Sequence, residues 1–152
     1  MKPIRQTLAA CACLLLAAPA FAQARFVPSA DGAEITDAKT ALVWRRCSEG
    51  QSWSGGICAG AAATYTHEQA LARAQSQAGW RLPNAKELAS IVDRSRVSPA
   101  IDGTAFPGTP SNWYWTSSPY VVGSANAWGV SFYDGYVNYY NRYYGSYVRL
   151  VR

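Results

Sequence analysis

Seven of the chain's ten tyrosines fall between Tyr133 and Tyr147, in the stretch YDGYVNYYNRYYGSY. Two asparagines, one arginine and one acid are interleaved with them. This mixture suits recognition better than bond making. A tyrosine ring gives a large contact area and a polar tip at little entropic cost, while Asn, Ser and Gly adapt their hydrogen bonding; antibody paratopes draw on the same residue types. Strands also favour tyrosine. The consecutive pairs Tyr139-Tyr140 and Tyr143-Tyr144, however, place rings on both faces of a strand, so at least one of each pair faces solvent or a partner. The ligand-contacting candidates are Tyr133, Tyr136, Asn138, Tyr139, Tyr140, Asn141, Arg142, Tyr143, Tyr144 and Tyr147. Tyr136, Asn138, Tyr140, Arg142 and Tyr144 share one parity and are expected near one another on an exposed face. Aromatic platforms with Asn and Arg suit sugars as well as protein surfaces, so both ligand classes stay open. The loops over 102–112 are the next place to look.

Other chemistry finds little material. The chain has no Gly-x-Ser-x-Gly, no phosphate loop and no His or Cys cluster, and Asp93, Asp102 and Asp134 stand without a neighbouring carboxylate partner. His67, the chain's single histidine, is expected as an exposed first-turn residue of a helix, and Glu87 as a helix cap. Cys47 and Cys58 lack the further ligands a zinc site needs. The reading is of a non-enzyme with no cofactor and no metal.

The elements that position the tyrosines follow from periodicity and punctuation. Glu34-Ile35-Thr36-Asp37 and Leu42-Val43-Trp44-Arg45 alternate around a short connection and predict a hairpin. Between Cys47 and Cys58 lie three glycines, Ser52 and Ser54, which predict a loop. Thr66 and Gln69 form a capping box ahead of the stripe Ala70, Leu71, Ala74 and Ala78, with Gly79 as the stop; Asn84 and Glu87 repeat the box before Leu88, Ile91 and Val92. Pro83 keeps the intervening Trp80-Arg81-Leu82 extended. Trp128, Val130 and Phe132 alternate with smaller or polar neighbours, Asp134-Gly135 predicts a tight hairpin turn, and Tyr136 to Tyr140 continue as a strand. Gly145-Ser146 offers a second turn before a closing strand with Val148 and Leu150 on one face. Trp80 and Trp128 are expected in the core.

Residues 1–22 carry Lys2 and Arg5, an apolar stretch from Leu8 to Ala18, and Ala20-Phe21-Ala22, the pattern of a cleaved secretory signal. Residues 23–152 then form one domain. The apolar stretch is too short to span a bilayer, and nothing later approaches the length required. Without Lys2 and Arg5, 12 basic residues face 9 acidic ones and the net charge is +3, which argues against a nucleic-acid partner. Cys11 and Cys13 leave with the leader. Cys47 and Cys58 remain in an oxidising compartment and are expected to pair. The exported protein is placed in the periplasm, at the cell surface or in the medium.

Gly79-Trp80-Arg81-Leu82-Pro83 followed by Lys86-Glu87-Leu88, together with the ending Val148-Arg149-Leu150-Val151-Arg152, resembles the Lcl C-terminal domain family, whose namesake is a collagen-like adhesin. Tyr114-Trp115-Thr116-Ser117-Ser118, Ala127-Trp128-Gly129-Val130-Ser131-Phe132 and the cysteine pair fit the same pattern. The resemblance implies an α+β, C-type-lectin-like fold: two helices packed on small antiparallel sheets, chain ends close together, and a loop-rich face for ligands. Adhesins of the family bind sulfated glycans, but this chain has no collagen repeats and would be the binding head alone. Formylglycine-generating relatives of the fold use late cysteines, absent here after Cys58, and calcium-dependent lectins use clustered acids, whereas Asp134 is the one acid after Asp102. Residues 133–147 are also similar to the hypervariable positions of proteins diversified by retroelements, whose adenine-targeted codons yield Asn, Tyr, Asp, Ser and Gly. The expectation is an adhesin- or receptor-like domain for a glycan or protein surface. The competing expectation is an assembly module whose aromatic face packs on a partner subunit. The oligomeric state is not legible.

Overall fold

In the computed structural model of the protein, residues 24–152 are described, so the expected leader lies outside the described residues. The alternation over 34–45 does build a hairpin. β2 (Glu34–Asp37) pairs antiparallel with β3 (Leu42–Arg45), with Ile35 opposite Trp44, and β1 (Phe26–Pro28) adds to the outer side of β2. A second, two-stranded sheet joins β4 (Ser52–Ser54) to β5 (Ile57–Ala59). The third contains β6 (Trp113–Pro119), β7 (Asn126–Ser131) and β8 (Val137–Asn141), with β7 central. With α1 (His67–Gln75) and α2 (Ala85–Ser90), the fold is α+β, three small antiparallel sheets and two helices. Both predicted capping boxes form: Thr66 with Gln69, and Asn84 with Glu87.

The sheet β6–β8 is covered on both faces, and the run Trp113-Tyr114-Trp115 shows why. Successive side chains point to opposite faces. Tyr114 joins Leu88 of α2, Ile35, Trp44, Phe106, Val130, Phe132 and Val151 in one buried cluster. Trp115 joins Ala70 and Ala74 of α1, Leu82, Ala127, Val148 and Leu150 in the other. The small Ala stripe of α1 therefore faces a tryptophan, a large-to-small match that fills space without strain.

The last residues close the molecule. Tyr147 bridges Tyr114 in parallel, and Val151 bridges both Trp44 and Arg81. Val43 and Arg152 exchange two backbone hydrogen bonds at 3.0 and 2.9 Å, and Arg152 reaches Glu34 at 2.6 Å. The described chain thus begins and ends on one sheet. Val148 and Leu150 share a face, as expected, but the segment holds by single bridges instead of a full strand. Arg149, between them, is fully buried with no carboxylate partner among the described residues. Its guanidinium donates to the carbonyls of Arg45 and Arg46 and to the hydroxyls of Ser48 and Thr109, and lies over the Phe106 ring. Burial pushes its pKa down from the ordinary arginine value.

Several local expectations are corrected. The stretch between the cysteines is a hairpin, with Trp53 opposite Cys58 and Gly55-Gly56 at its turn; the Cys47–Cys58 disulfide ties it to β3's end. Helix α1 stops at Gln75, four residues before Gly79, where the i→i−4 ladder gives way to a tighter i→i−3 bond from the Gln77 amide to the Ala74 carbonyl. The β7–β8 connection is longer than a two-residue turn. Phe132 drops into the core, and Gly135, at φ +81°, turns where a Cβ would sit 2.6 Å from Val92 Cγ1. The turn after β8 falls at Arg142–Tyr144 instead of Gly145-Ser146, whose serine pairs with Tyr65. Trp80 and Trp128 are only half-buried. Trp80 sits beneath the guanidiniums of Arg45 and Arg152, and Trp128 at the rim of its sheet beside Tyr120 and Tyr139.

Candidate functional site

β8 is an edge strand, and its alternation divides the tyrosine segment between two faces. Asn138 and Tyr140 point to one and Tyr139 to the other. On the first face Tyr140 stacks on Trp113 at 5.8 Å between ring centroids, with the planes 11° apart, and meets Tyr144 at 5.3 Å. Gly129 makes this possible. A Cβ there would approach the Tyr114 carbonyl oxygen at 3.1 Å and the Trp113 ring at 3.4 Å, so its absence lets the indole lie across the strand. On the second face Tyr139 stacks on Tyr120 at 4.2 Å, and Trp128 meets both rings edge-on. Stacked and edge-to-face pairs hold the rings in place without burying them, which keeps the entropic cost of contacting a ligand low.

The two asparagines are partly engaged by the backbone. Asn138 Oδ1 accepts from the Tyr139 amide at 2.8 Å, and Asn141 Oδ1 from the Tyr143 amide at 3.0 Å. The first contact occupies a backbone donor on β8, a device that discourages further strand pairing. The second shapes the Arg142–Tyr144 turn and presents Tyr143, which is 84% exposed.

At that turn the chain meets the start of α1. The Arg142 carbonyl accepts the His67 amide at 3.0 Å, the Arg142 amide donates to Ala125 O at 2.9 Å, and Arg142 Nε donates to Asn126 O at 2.9 Å. His67 is 2% exposed, not a surface residue as its first-turn position predicts. Its ring stands edge-on to Trp115 and places Nε2 2.9 Å from the Thr116 carbonyl, which must accept, so Nε2 carries the proton. Nδ1 is then an acceptor, with Arg142 Nη1 at 3.4 Å. Burial lowers the imidazole's pKa from its usual value, the Arg142 charge acting the same way and the Thr116 carbonyl opposing. His67, Glu68, Leu71, Ser124, Ala125, Arg142 and Tyr143 line a solvent-open cavity of about 270 Å³.

The predicted residues are thus distributed, not gathered on one patch. Tyr140 and Tyr144 meet on one face, Tyr139 lies on the other, and Arg142 and Tyr143 border the cavity. Tyr133 and Tyr136 are exposed at the opposite end of β8 from Tyr140. Tyr147, also among the expected contacts, is half-buried. It turns inward against Tyr114 at 5.5 Å because the tail pairs there. Sequence reasoning missed Trp113, Tyr120 and Trp128 as ring partners and His67 as a buried support. The Trp113–Trp115 alternation could have flagged the first; nothing in the sequence marks the last. Among the described residues no three His, Cys, Asp or Glu side chains stand close enough to share a metal ion. Among them too, no helix is long and apolar enough to cross a membrane.

The sequence model of the Lcl C-terminal domain matches residues 33–152, nearly the whole of the described chain. No curated protein and no solved structure matches.

Proposed function

Because the chain belongs to the Lcl C-terminal domain family, we propose that it is an exported, non-catalytic recognition domain with a C-type-lectin-like fold. Its Tyr133–Tyr144 surface captures a glycan or a protein. One observation carries the reading. Tyr133, Tyr136, Tyr139, Tyr143 and Tyr144 are all exposed, although a segment this aromatic would be expected to bury its rings. Tyr139 and Tyr144 are braced by neighbouring rings, and exposed aromatic anchors suit a binding face because they tend to dominate interface energetics. The same positions suit diversification by a retroelement, because substitution at exposed rings leaves both buried clusters untouched.

A glycan array and a pull-down of cell-surface proteins, both run with the purified exported protein, test the proposal. Retention of one glycan class or one protein ligand is the expected result, and no retention in either format opposes it. Sequencing the surrounding DNA for a template repeat and a reverse transcriptase tests the retroelement component separately.

The exposed Val121 and Val122 beside the Tyr120 ring favour a second reading, in which this end packs on a partner subunit. Sedimentation of the purified protein separates the two. A monomer that binds ligand supports recognition, and a concentration-dependent oligomer abolished by V121S/V122S supports assembly.

A further inference from the structure

Among the described residues Arg45, Arg94 and Arg142 are the arginines with neither a carboxylate partner nor full burial, and Arg94 is exposed to solvent whereas Arg142 borders a cavity. Arg25, Arg73, Arg81, Arg96 and Arg152 pair with carboxylates. Arg46 and Arg149 are buried and spent on carbonyl and hydroxyl oxygens. Arg45 donates to Gln77 and lies over Trp80. Arg142 borders a cavity, and among the described residues its guanidinium meets only neutral acceptors, the Asn126 carbonyl and His67 Nδ1. Its Nη2 has no partner among them.

We infer that the cavity between α1 and the Arg142–Tyr143 turn is a binding site for a carboxylate group carried on a small body. The guanidinium fork matches the planar geometry of a carboxylate and forms charge-assisted hydrogen bonds with it. Nε and one Nη1 hydrogen are committed, which leaves the outer end of the fork for the ligand. Buried His67 is a positioning residue. With its proton on Nε2, it turns a lone pair toward Arg142 and holds the guanidinium at the cavity without neutralising it. Leu71, Ala125 and the Tyr143 ring supply apolar wall, and Ser124 a hydroxyl. A volume of about 270 Å³ lies just below the usual range for ligand pockets, which restricts the body to a short acyl chain or a single sugar ring. Glu68 lines the same cavity and opposes an anion, so it limits affinity and is the handle for the test.

The experiment is a titration of the ¹⁵N-labelled exported protein with acetate, propionate and glucuronate at constant pH, against sodium chloride at matched ionic strength. Saturable shifts are expected at the Ser124 and Ala125 amides and at Arg142 Nε. R142Q should weaken binding about tenfold or more by removing the charge-assisted bonds, and R142K should weaken it less. E68Q should tighten it by roughly threefold by removing a like charge. Binding of all three acids shows that the carboxylate suffices; binding of glucuronate alone shows that the sugar body is also read. Shifts no larger than those with chloride overturn the inference, as does undiminished affinity in a folded R142Q protein. Should R142Q disturb the turn, R142K and E68Q decide, and affinity unchanged in both overturns it. Tyr143 borders both this cavity and the tyrosine surface, but the titration reads the Ser124 and Ala125 amides and Arg142 Nε, so an unsuccessful array or pull-down leaves this site standing and the reverse also holds.

Discussion

Residues 133–144 and residues 146–152 adjoin in sequence and invert the usual rule of inside and outside. The first segment is aromatic and leaves five tyrosines exposed, and the second buries an arginine that has no carboxylate partner among the described residues. Residue type alone does not decide either outcome. The tail is inside because its backbone is used from both sides: Val151 bridges Trp44 and Arg81, and Tyr147 bridges Tyr114. Arg149 comes with it, and its burial is tolerated because the Arg45 and Arg46 carbonyls and two hydroxyls accept its protons. The tyrosine segment stays outside because β8 is an edge strand whose core-side partners are already filled by Tyr114, Trp115, Ala127 and Val130. Stability and recognition are therefore carried by neighbouring segments, and each should be alterable without the other.

The tail should give the largest effects. Leu150→Ala is expected to cost about 2–5 kcal/mol, the range for emptying a packed leucine site. Arg149→Ala should cost about 3 kcal/mol, since it leaves two buried carbonyls without donors and removes the group over Phe106. Arg149→Met restores volume but not the donors and should recover only part of the loss. Chemical denaturation measures all three, and loss below about 0.5 kcal/mol in Arg149→Ala would break the comparison from the tail side. Trp128→Ala should fall well short of the cost of truncating a buried tryptophan, because its ring is half-exposed at the rim of the sheet.

His67 links the two regions and yields a pH signature. Its pKa is lowered in the folded state by burial, so the unfolded chain takes up the proton first as pH falls. The stabilisation is complete above the unfolded value near 6.5 and is lost as pH drops from there toward the depressed folded value. The lowered carboxylates Asp37 and Glu87 act later, below their ordinary values near 4. Melting temperatures between pH 7.5 and 5 should therefore fall in the wild type and stay nearly level in His67→Gln. Parallel slopes in the two proteins would remove His67 from the account.

How much of this was legible depended on whether local sequence or long-range pairing set the outcome. Both helix starts were readable, because the capping boxes at Thr66 and Asn84 are self-contained. The β2–β3 hairpin was readable from alternation, and the Cys47–Cys58 bond from there being one cysteine pair outside the expected leader. The burial of His67 was not, because it depends on Thr116 and Trp115 arriving from β6. Asp134-Gly135 misled for a similar reason: Phe132 is drawn into a core made by distant residues, which lengthens the loop. At the candidate site, the doubled tyrosines did require an exposed ring in each pair, and the parity reading placed Tyr136 and Tyr144 outside, but it ranked Tyr140 above Tyr139 and Tyr143, which are the more exposed rings. The partition into two ring clusters and a cavity was not legible, since Trp113, Tyr120 and His67 come from elsewhere in the chain.

The smallest stability effect is expected where the binding effect is greatest. Replacing Tyr133, Tyr136, Tyr139, Tyr143 and Tyr144 together by Ser should shift stability little, because exposed side chains away from special features each contribute within about 0.5 kcal/mol. The decisive measurement is retention of this variant and of the wild type on the glycan array and in the surface-protein pull-down, with melting curves run on the same samples. The account predicts matching melting curves and lost capture. A variant that unfolds would show that these rings hold the structure together, and one that folds and binds as the wild type does would place recognition elsewhere in the molecule.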